Sequence, residues 1–148
     1  MQEVKFRGIP VIPVDEDAMP EWCDWVKDGF VYGYLIGNDV IVGDIVDFEE
    51  DYFNTEFWCR VRPETVGQYT EMKDKNGMGI WGGDIVEAWS QGVKAIGMVK
   101  QRIDGLWIMF PAWQSDIFWG LCPNPKGMTT VKVIGNIHRN PELLGAKP

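Results

Sequence analysis

Gly67-Gln68-Tyr69-Thr70-Glu71-Met72-Lys73-Asp74-Lys75-Asn76-Gly77-Met78-Gly79-Ile80-Trp81-Gly82-Gly83-Asp84-Ile85-Val86-Glu87 lies between two halves of the chain and carries several of its turn signals. It reads as the end of a strand, a polar connector with an Asn-Gly turn, a short apolar segment, a glycine pair and a new strand. Gly77 is expected to supply the positive φ of the turn, and Gly82 and Gly83 to let the chain reverse tightly. Ile80, Trp81, Ile85 and Val86 are then expected to bury the junction between two halves of different composition, residues 1–70 and residues 71–148.

On the carboxy-terminal side, Asp84–Trp89, Ala95–Arg102, Leu106–Phe110, Ile117–Trp119 and Val131–Ile137 are five short runs rich in β-branched and aromatic residues. Ser90-Gln91-Gly92, Asp104-Gly105, the chain after Pro111, and Pro123-Asn124-Pro125-Lys126-Gly127 separate them. Five short strands with turn signals at this spacing predict a small barrel. Asp104-Gly105 is read as the best two-residue hairpin turn, because both central residues of a type I′ turn need positive φ. At the end, Asn140 as N-cap, Pro141 at the first position, Glu142 near the positive dipole and Gly145 as terminator predict a short helix, packed by Leu143 and Leu144.

The amino-terminal side is less regular. Val4–Arg7 alternates apolar and polar side chains and predicts a first strand, ended by Pro10, Pro13 and the acidic loop Asp15-Glu16-Asp17. Met19–Gly29 fits an amphipathic turn or irregular chain. Phe30–Ile36 and Val40–Phe48 read as strands, the second broken at Gly43-Asp44. Glu49-Glu50-Asp51 reads as a solvated connector, and Thr55–Arg62 as a further strand up to Pro63. The fold class expected is therefore all-β, an irregular β subdomain followed by a barrel unit.

The run QYTEMKDKNGMGIWGGDIVE resembles the signature of the YopX family of phage and prophage proteins, which carry a pattern close to QYTGLKDKNGKEIYEGDIV. The opening Val4-Lys5-Phe6-Arg7 and the closing Val133-Ile134-Gly135-Asn136-Ile137-His138-Arg139-Asn140-Pro141-Glu142-Leu143-Leu144 are similar to that family as well. The signature positions matched are Gln68, Tyr69, Thr70, Lys73, Asp74, Asn76, Gly77, Gly83, Asp84, Ile85 and Val86, with Gly135, Asn136 and Pro141 in the closing run. Glu71, Gly79 and Gly82 depart from it. The resemblance implies an SH3-like barrel in the carboxy-terminal half and a phage or prophage origin, and it brings no catalytic residue with it. On this reading the signature residues build the fold.

Charge separates the halves. Net charge is −8; residues 1–70 carry 15 acids against 5 bases, and residues 71–148 carry 7 acids against 9 bases. An acidic half repels phosphate backbones, which disfavours nucleic acid there and favours solubility or a basic protein partner. Three cysteines spaced far apart, no C-x-x-C and one histidine argue against a disulfide framework or a zinc site, and free thiols in a reducing cytoplasm are expected, which the phage resemblance implies is that of a bacterial host. Neither a signal peptide nor a membrane span is expected from the hydropathy.

Catalytic constellations are not apparent. Asp74-Lys75-Asn76-Gly77 fails as a calcium loop, since Met78 and Ile85 fall where oxygen ligands belong. His138 has no nucleophile indicated by spacing, no glycine-rich phosphate loop precedes a helix, and no carboxylate pair is set apart by an apolar context. Gly-Asp-Ile-Val occurs twice, at 43–46 and 83–86; because the flanks do not continue the match, it is read as one turn-to-strand solution reached twice rather than as an ancient duplication, and no catalytic role is expected of Asp44 or Asp84. No enzyme activity, cofactor or metal is expected. Eight tryptophans exceed what a small core absorbs, so Trp107, Trp113, Phe118 and Trp119 are the candidate interface residues for a protein partner, either a second copy or a host factor. Lys94, Lys100, Arg102 and Lys132 offer nucleic-acid association as the alternative, and an acid–base hydrolase is the third.

Overall fold

The computed structural model describes residues 5–11, 24–112 and 117–144. The chain is all-β, with thirteen strands among the described residues and helical structure only as short 3-10 turns. It divides into two units, Met1–Gln68 and Tyr69–Pro148.

In the first unit, β1 (Phe6–Gly8), β2 (Val31–Ile36), β3 (Val40–Val42) and β6 (Trp58–Arg60) form an antiparallel sheet in the order β6-β3-β2-β1, and the start of β7 (Gly67–Lys73) pairs with β1. The β-branched runs read from the sequence make this sheet because alternate side chains can be buried together: Val31, Ile41, Phe57, Cys59 and Val61 form its core, with Phe6, Leu35 and Val66 against it. Each aliphatic side chain buried there contributes about 1.5–3 kcal/mol relative to exposure. Asp28-Gly29 is a two-residue turn with both φ positive, closed by Lys27 and Phe30, which exchange backbone hydrogen bonds of 2.8 and 3.1 Å. Of the amphipathic segment considered at 19–29, residues 19–23 lie outside the described chain, as do Val4 and the loop at 15–17.

Two further strands, β4 (Ile45–Phe48) and β5 (Phe53–Thr55), pair only with each other. The chain leaves β3 at Gly43-Asp44, turns at Glu49–Tyr52 through a 2.8 Å backbone hydrogen bond, and returns. The run read as one strand over Thr55–Arg62 is thereby split: Thr55 ends β5, and Trp58 begins β6.

In the second unit β8 (Gly79–Trp81) pairs with the end of β7, while β9 (Asp84–Ser90), β10 (Val93–Gln101), β11 (Trp107–Phe110), β12 (Trp119–Gly120) and β13 (Lys132–Asn136) form a five-stranded antiparallel sheet in the order β12-β11-β10-β9-β13. All five strands expected from the sequence are present. The sheet is open, with β12 and β13 as its edges, so the closed barrel expected from strand spacing is not formed. Met72, Ile80, Val86, Ala88, Ala95, Val99, Met109, Leu121 and Val131 make the core. On β10 the approach is close: a Cβ on Gly97 would collide with the Pro111 carbonyl oxygen.

Two local expectations are corrected. Asp104-Gly105 is not a two-residue turn, because only Gly105 has positive φ; Gly105 N–H donates to Arg102 C=O at 2.9 Å and Arg102 N–H to Leu106 C=O at 2.8 Å, which makes a three-residue loop with Gly105 in the left-handed position. The two-residue turn of this sheet is Gln91-Gly92, both with positive φ, between Ser90 and Val93. The terminal helix is a single 3-10 turn, Pro141–Leu144, against β10. Asn140 turns its side chain back to accept from Asn136 N–H at 3.3 Å instead of capping forward, and Gly145, the expected terminator, lies outside the described residues.

Candidate functional site

The signature stretch is a set of backbone connections within the second unit. Asp74 is 1% exposed. Its Oδ1 accepts from Asn76 N–H at 2.9 Å and Met78 N–H at 2.8 Å, closing the Lys75-Asn76-Gly77 turn, and its Oδ2 accepts from Val133 N–H at 3.0 Å. One carboxylate thus joins the turn after β7 to strand β13, 59 residues along the chain. A carboxylate suits this position because it offers several lone pairs to backbone donors and no hydrogen to clash with them. Gly77 has φ 85° and its N–H donates to Asp74 C=O at 3.0 Å.

Other signature residues extend the same connections. Lys73 N–H donates to Gly127 C=O at 2.8 Å, and Lys73 C=O accepts from Thr129 N–H at 2.7 Å and Thr129 Oγ1 at 2.9 Å. The Lys73 side chain is exposed. Thr70, buried, donates its hydroxyl to Ile80 C=O at 2.7 Å and accepts from Met72 N–H at 3.1 Å, which stabilises the register shift where Glu71 takes φ 65°. Tyr69 sits opposite Trp81 with ring centroids 4.9 Å apart. Gln68, in the first unit, pairs with Phe6.

At the glycine pair only Gly83 has positive φ, 91°; its N–H donates to Val99 C=O and its C=O accepts from Ile137 N–H. Asp84, buried, accepts from Trp81 N–H at 2.8 Å, and Ile85 and Val86 are wholly buried behind it. In the closing run, Asn136 Oδ1 accepts from His138 N–H at 3.1 Å and Arg139 N–H at 2.9 Å. A Cβ on Gly135 would lie 2.6 Å from Asn140 Oδ1, so glycine leaves the space that this side chain fills. Pro141 is exposed at the start of the 3-10 turn.

Three of the four candidate interface aromatics, Trp107, Phe118 and Trp119, fall among the described residues. Trp107 and Trp119 are half-buried against the core of the second unit, and Phe118 is exposed with the Arg102 guanidinium 4.6 Å from its ring centre. Trp113 lies outside the described residues. The aromatic surface the sequence reading missed is on the first unit, at the β4–β5 hairpin. Phe48 is 72% exposed, Tyr52 58% and Phe53 51%, with Ile45 and Val46 also exposed. Phe48 faces Phe53 across the pair, with centroids 6.3 Å apart, and Ile45 faces Thr55. Because Phe53 and Thr55 are two apart on one strand, these two pairs share a face. Asp47 and Asn54, hydrogen-bonded at 2.7 Å, hold the other face. The available signal was the composition of 44–56, where apolar residues and carboxylates alternate around a Glu-Glu-Asp turn.

Chemistry elsewhere is sparse. A groove of about 330 Å³ is lined by Trp119–Cys122 and Thr129–Val131, and its polar side chains are one thiol, two hydroxyls and the Trp119 indole. Among the described residues, no three His, Cys, Asp or Glu side chains cluster to hold a metal ion, and no helix is long and apolar enough to cross a membrane. Cys59 is buried, its Sγ 3.3 Å from Arg60 C=O, and Cys122 is exposed; Cys23 lies outside the described residues. Lys94 lies 6.0 Å from the centre of the Trp89 ring and Lys100 4.3 Å from that of Phe110.

Among known proteins, the family model described as YopX protein matches residues 36–145. No curated protein matches the chain. Among solved structures, the crystal structure of protein EF1440 from Enterococcus faecalis is similar, with 19% identity over 97% of this chain and 99% of that one and a TM-score of 0.42.

Proposed function

Because the chain belongs to the YopX family, we propose that it is a phage- or prophage-encoded accessory protein that works in the host cytoplasm by binding another protein, without catalysing a reaction. The observation that carries this reading is the β4–β5 hairpin, which leaves its strands exposed at nearly every position and shows one aromatic, aliphatic face to solvent. A two-stranded hairpin is marginal in water by itself and gains stability when its apolar face is covered. The signature residues, on the same reading, hold the second unit in shape. The strand order β12-β11-β10-β9-β13, a four-strand meander whose first strand takes the last on its free side, supports reading that unit as SH3-like and opened between its edges.

Pull-down from host lysate with the intact chain and with Phe48→Ala/Phe53→Ala tests the proposal. A protein retained by the first and lost with the second supports it, and identical retention removes the hairpin from the reading. Light scattering on the purified chain separates self-association from binding to a different protein.

A second reading has its own observation: Lys94 and Lys100, on one face of β10, and Arg102 just beyond it each stand beside an aromatic ring. Interleaved cations and rings are what single-stranded nucleic acid uses, the cations for phosphates and the rings for bases. Absence of binding to a single-stranded oligonucleotide at low salt would eliminate it.

A further inference from the structure

Resting on the reading of β4–β5 as a docking arm, we propose that its occupant is a cationic, amphipathic segment of a different protein, with basic side chains flanking an apolar stripe. Charge selects this occupant. Between Asp44 and Glu56 the chain carries six carboxylates, Asp44, Asp47, Glu49, Glu50, Asp51 and Glu56, and no lysine or arginine. All six are exposed, and among the described residues no lysine or arginine pairs with any of them.

Five of these carboxylates, all but Asp47, frame the apolar face. Phe48 and Phe53, with Ile45 beside Thr55, form the stripe; Glu49, Glu50 and Asp51 cross its end in the turn, and Asp44 and Glu56 stand at its base, where Glu56 Oε2 accepts from Asp44 N–H at 3.2 Å. An apolar stripe ringed by one sign of charge complements a surface with the opposite ring, which adds attraction at the rim to burial at the centre. The same arrangement opposes a second copy: pairing two identical hairpins face to face brings like-charged rims together without a basic residue between 44 and 59 to offset them.

The test uses the full chain and a labelled synthetic 20-residue helix of leucine and lysine, with a leucine–glutamate helix of the same pattern as control, followed by fluorescence anisotropy. The leucine–lysine peptide should bind and the leucine–glutamate peptide should not, and binding should weaken about tenfold or more between low and high salt. Phe48→Ala/Phe53→Ala, which keeps every charge, should weaken binding by about tenfold or more. Glu49→Gln/Glu50→Gln/Asp51→Asn, which keeps every ring, should do the same. Both variants should retain the melting curve of the parent, since all the altered side chains are exposed.

If binding survives loss of the two rings, the peptide is held by net charge alone and both the inference and the docking arm fail. If the neutralised variant binds as well as the parent, or the leucine–glutamate peptide binds equally, the arm stands and the cationic occupant is wrong. A concentration-dependent dimer that the leucine–lysine peptide cannot compete with, and that disappears with Phe48→Ala/Phe53→Ala, would assign the arm to a second copy and overturn the inference.

Discussion

Replacing Asp74 tests whether one buried carboxylate holds the second unit together. Asp74→Ala removes acceptors from three backbone N–H groups at 2.8–3.0 Å. Hydrogen bonds to a charged group contribute about 1.5–3 kcal/mol each when buried. Asn76 and Met78 are exposed, so their N–H groups can turn to water and each of those losses falls to about 1 kcal/mol; Val133 is half-buried, and its N–H takes about 2 kcal/mol. The expected total is about 3–5 kcal/mol, a large share of an ordinary domain's stability. Asp74→Asn separates the parts. Its carbonyl oxygen can still serve the turn, but its amide then points hydrogens at the Val133 N–H, and the cost should be about 2–3 kcal/mol. Guanidinium denaturation followed by tryptophan fluorescence gives the totals, and hydrogen exchange at the Val133 amide reports the lost long-range bond. Losses below about 1 kcal/mol for both variants, or unchanged protection at Val133, would refute the argument.

Gly83→Val should lower stability by about 1–3 kcal/mol through its φ of 91° and not through crowding, since the nearest atoms to a new Cβ are 3.6 and 3.7 Å away; a thermal melt measures it. Gly97→Ala should cost at least as much at normal φ, because the Pro111 carbonyl oxygen stands where the methyl would go, and relief by a small side-chain shift is not available. Gln91→Asn should stabilise by about 0.5 kcal/mol in denaturant titration, since asparagine tolerates the φ of 53° at the first position of the two-residue turn better than glutamine does. In a Cys23→Ser background, a thiol reagent should label Cys122 at once and Cys59 only on unfolding; rapid labelling of both would contradict the buried position of Cys59.

The tetrapeptide Gly-Asp-Ile-Val shows where local sequence stops being sufficient. At 83–86, Gly83 takes positive φ, Asp84 accepts from Trp81 N–H, and Ile85 and Val86 are fully buried. At 43–46, Gly43 keeps an ordinary φ, Asp44 is exposed, and Ile45 and Val46 stand in solvent. Period-two patterning and turn residues were enough to place most of the strands, all five of the second sheet included, because they act within a few residues of chain. Which strands become neighbours depends on contacts distant in sequence. The bond from Asp74 to Val133 closes 59 residues, and no local signal at either end names the other. The hairpin at 45–55 was hidden for a related reason. Its apolar residues look like those of any buried strand, and only their position outside the core of the first unit left Phe48 and Phe53 exposed. An all-β chain and the residues of its signature were legible from local pattern alone. That the second sheet stays open, that Trp107 and Trp119 pack on a core, and that an exposed aromatic face belongs to the acidic half came only with long-range packing, because burial is settled by which surfaces meet and not by what each segment would hide on its own.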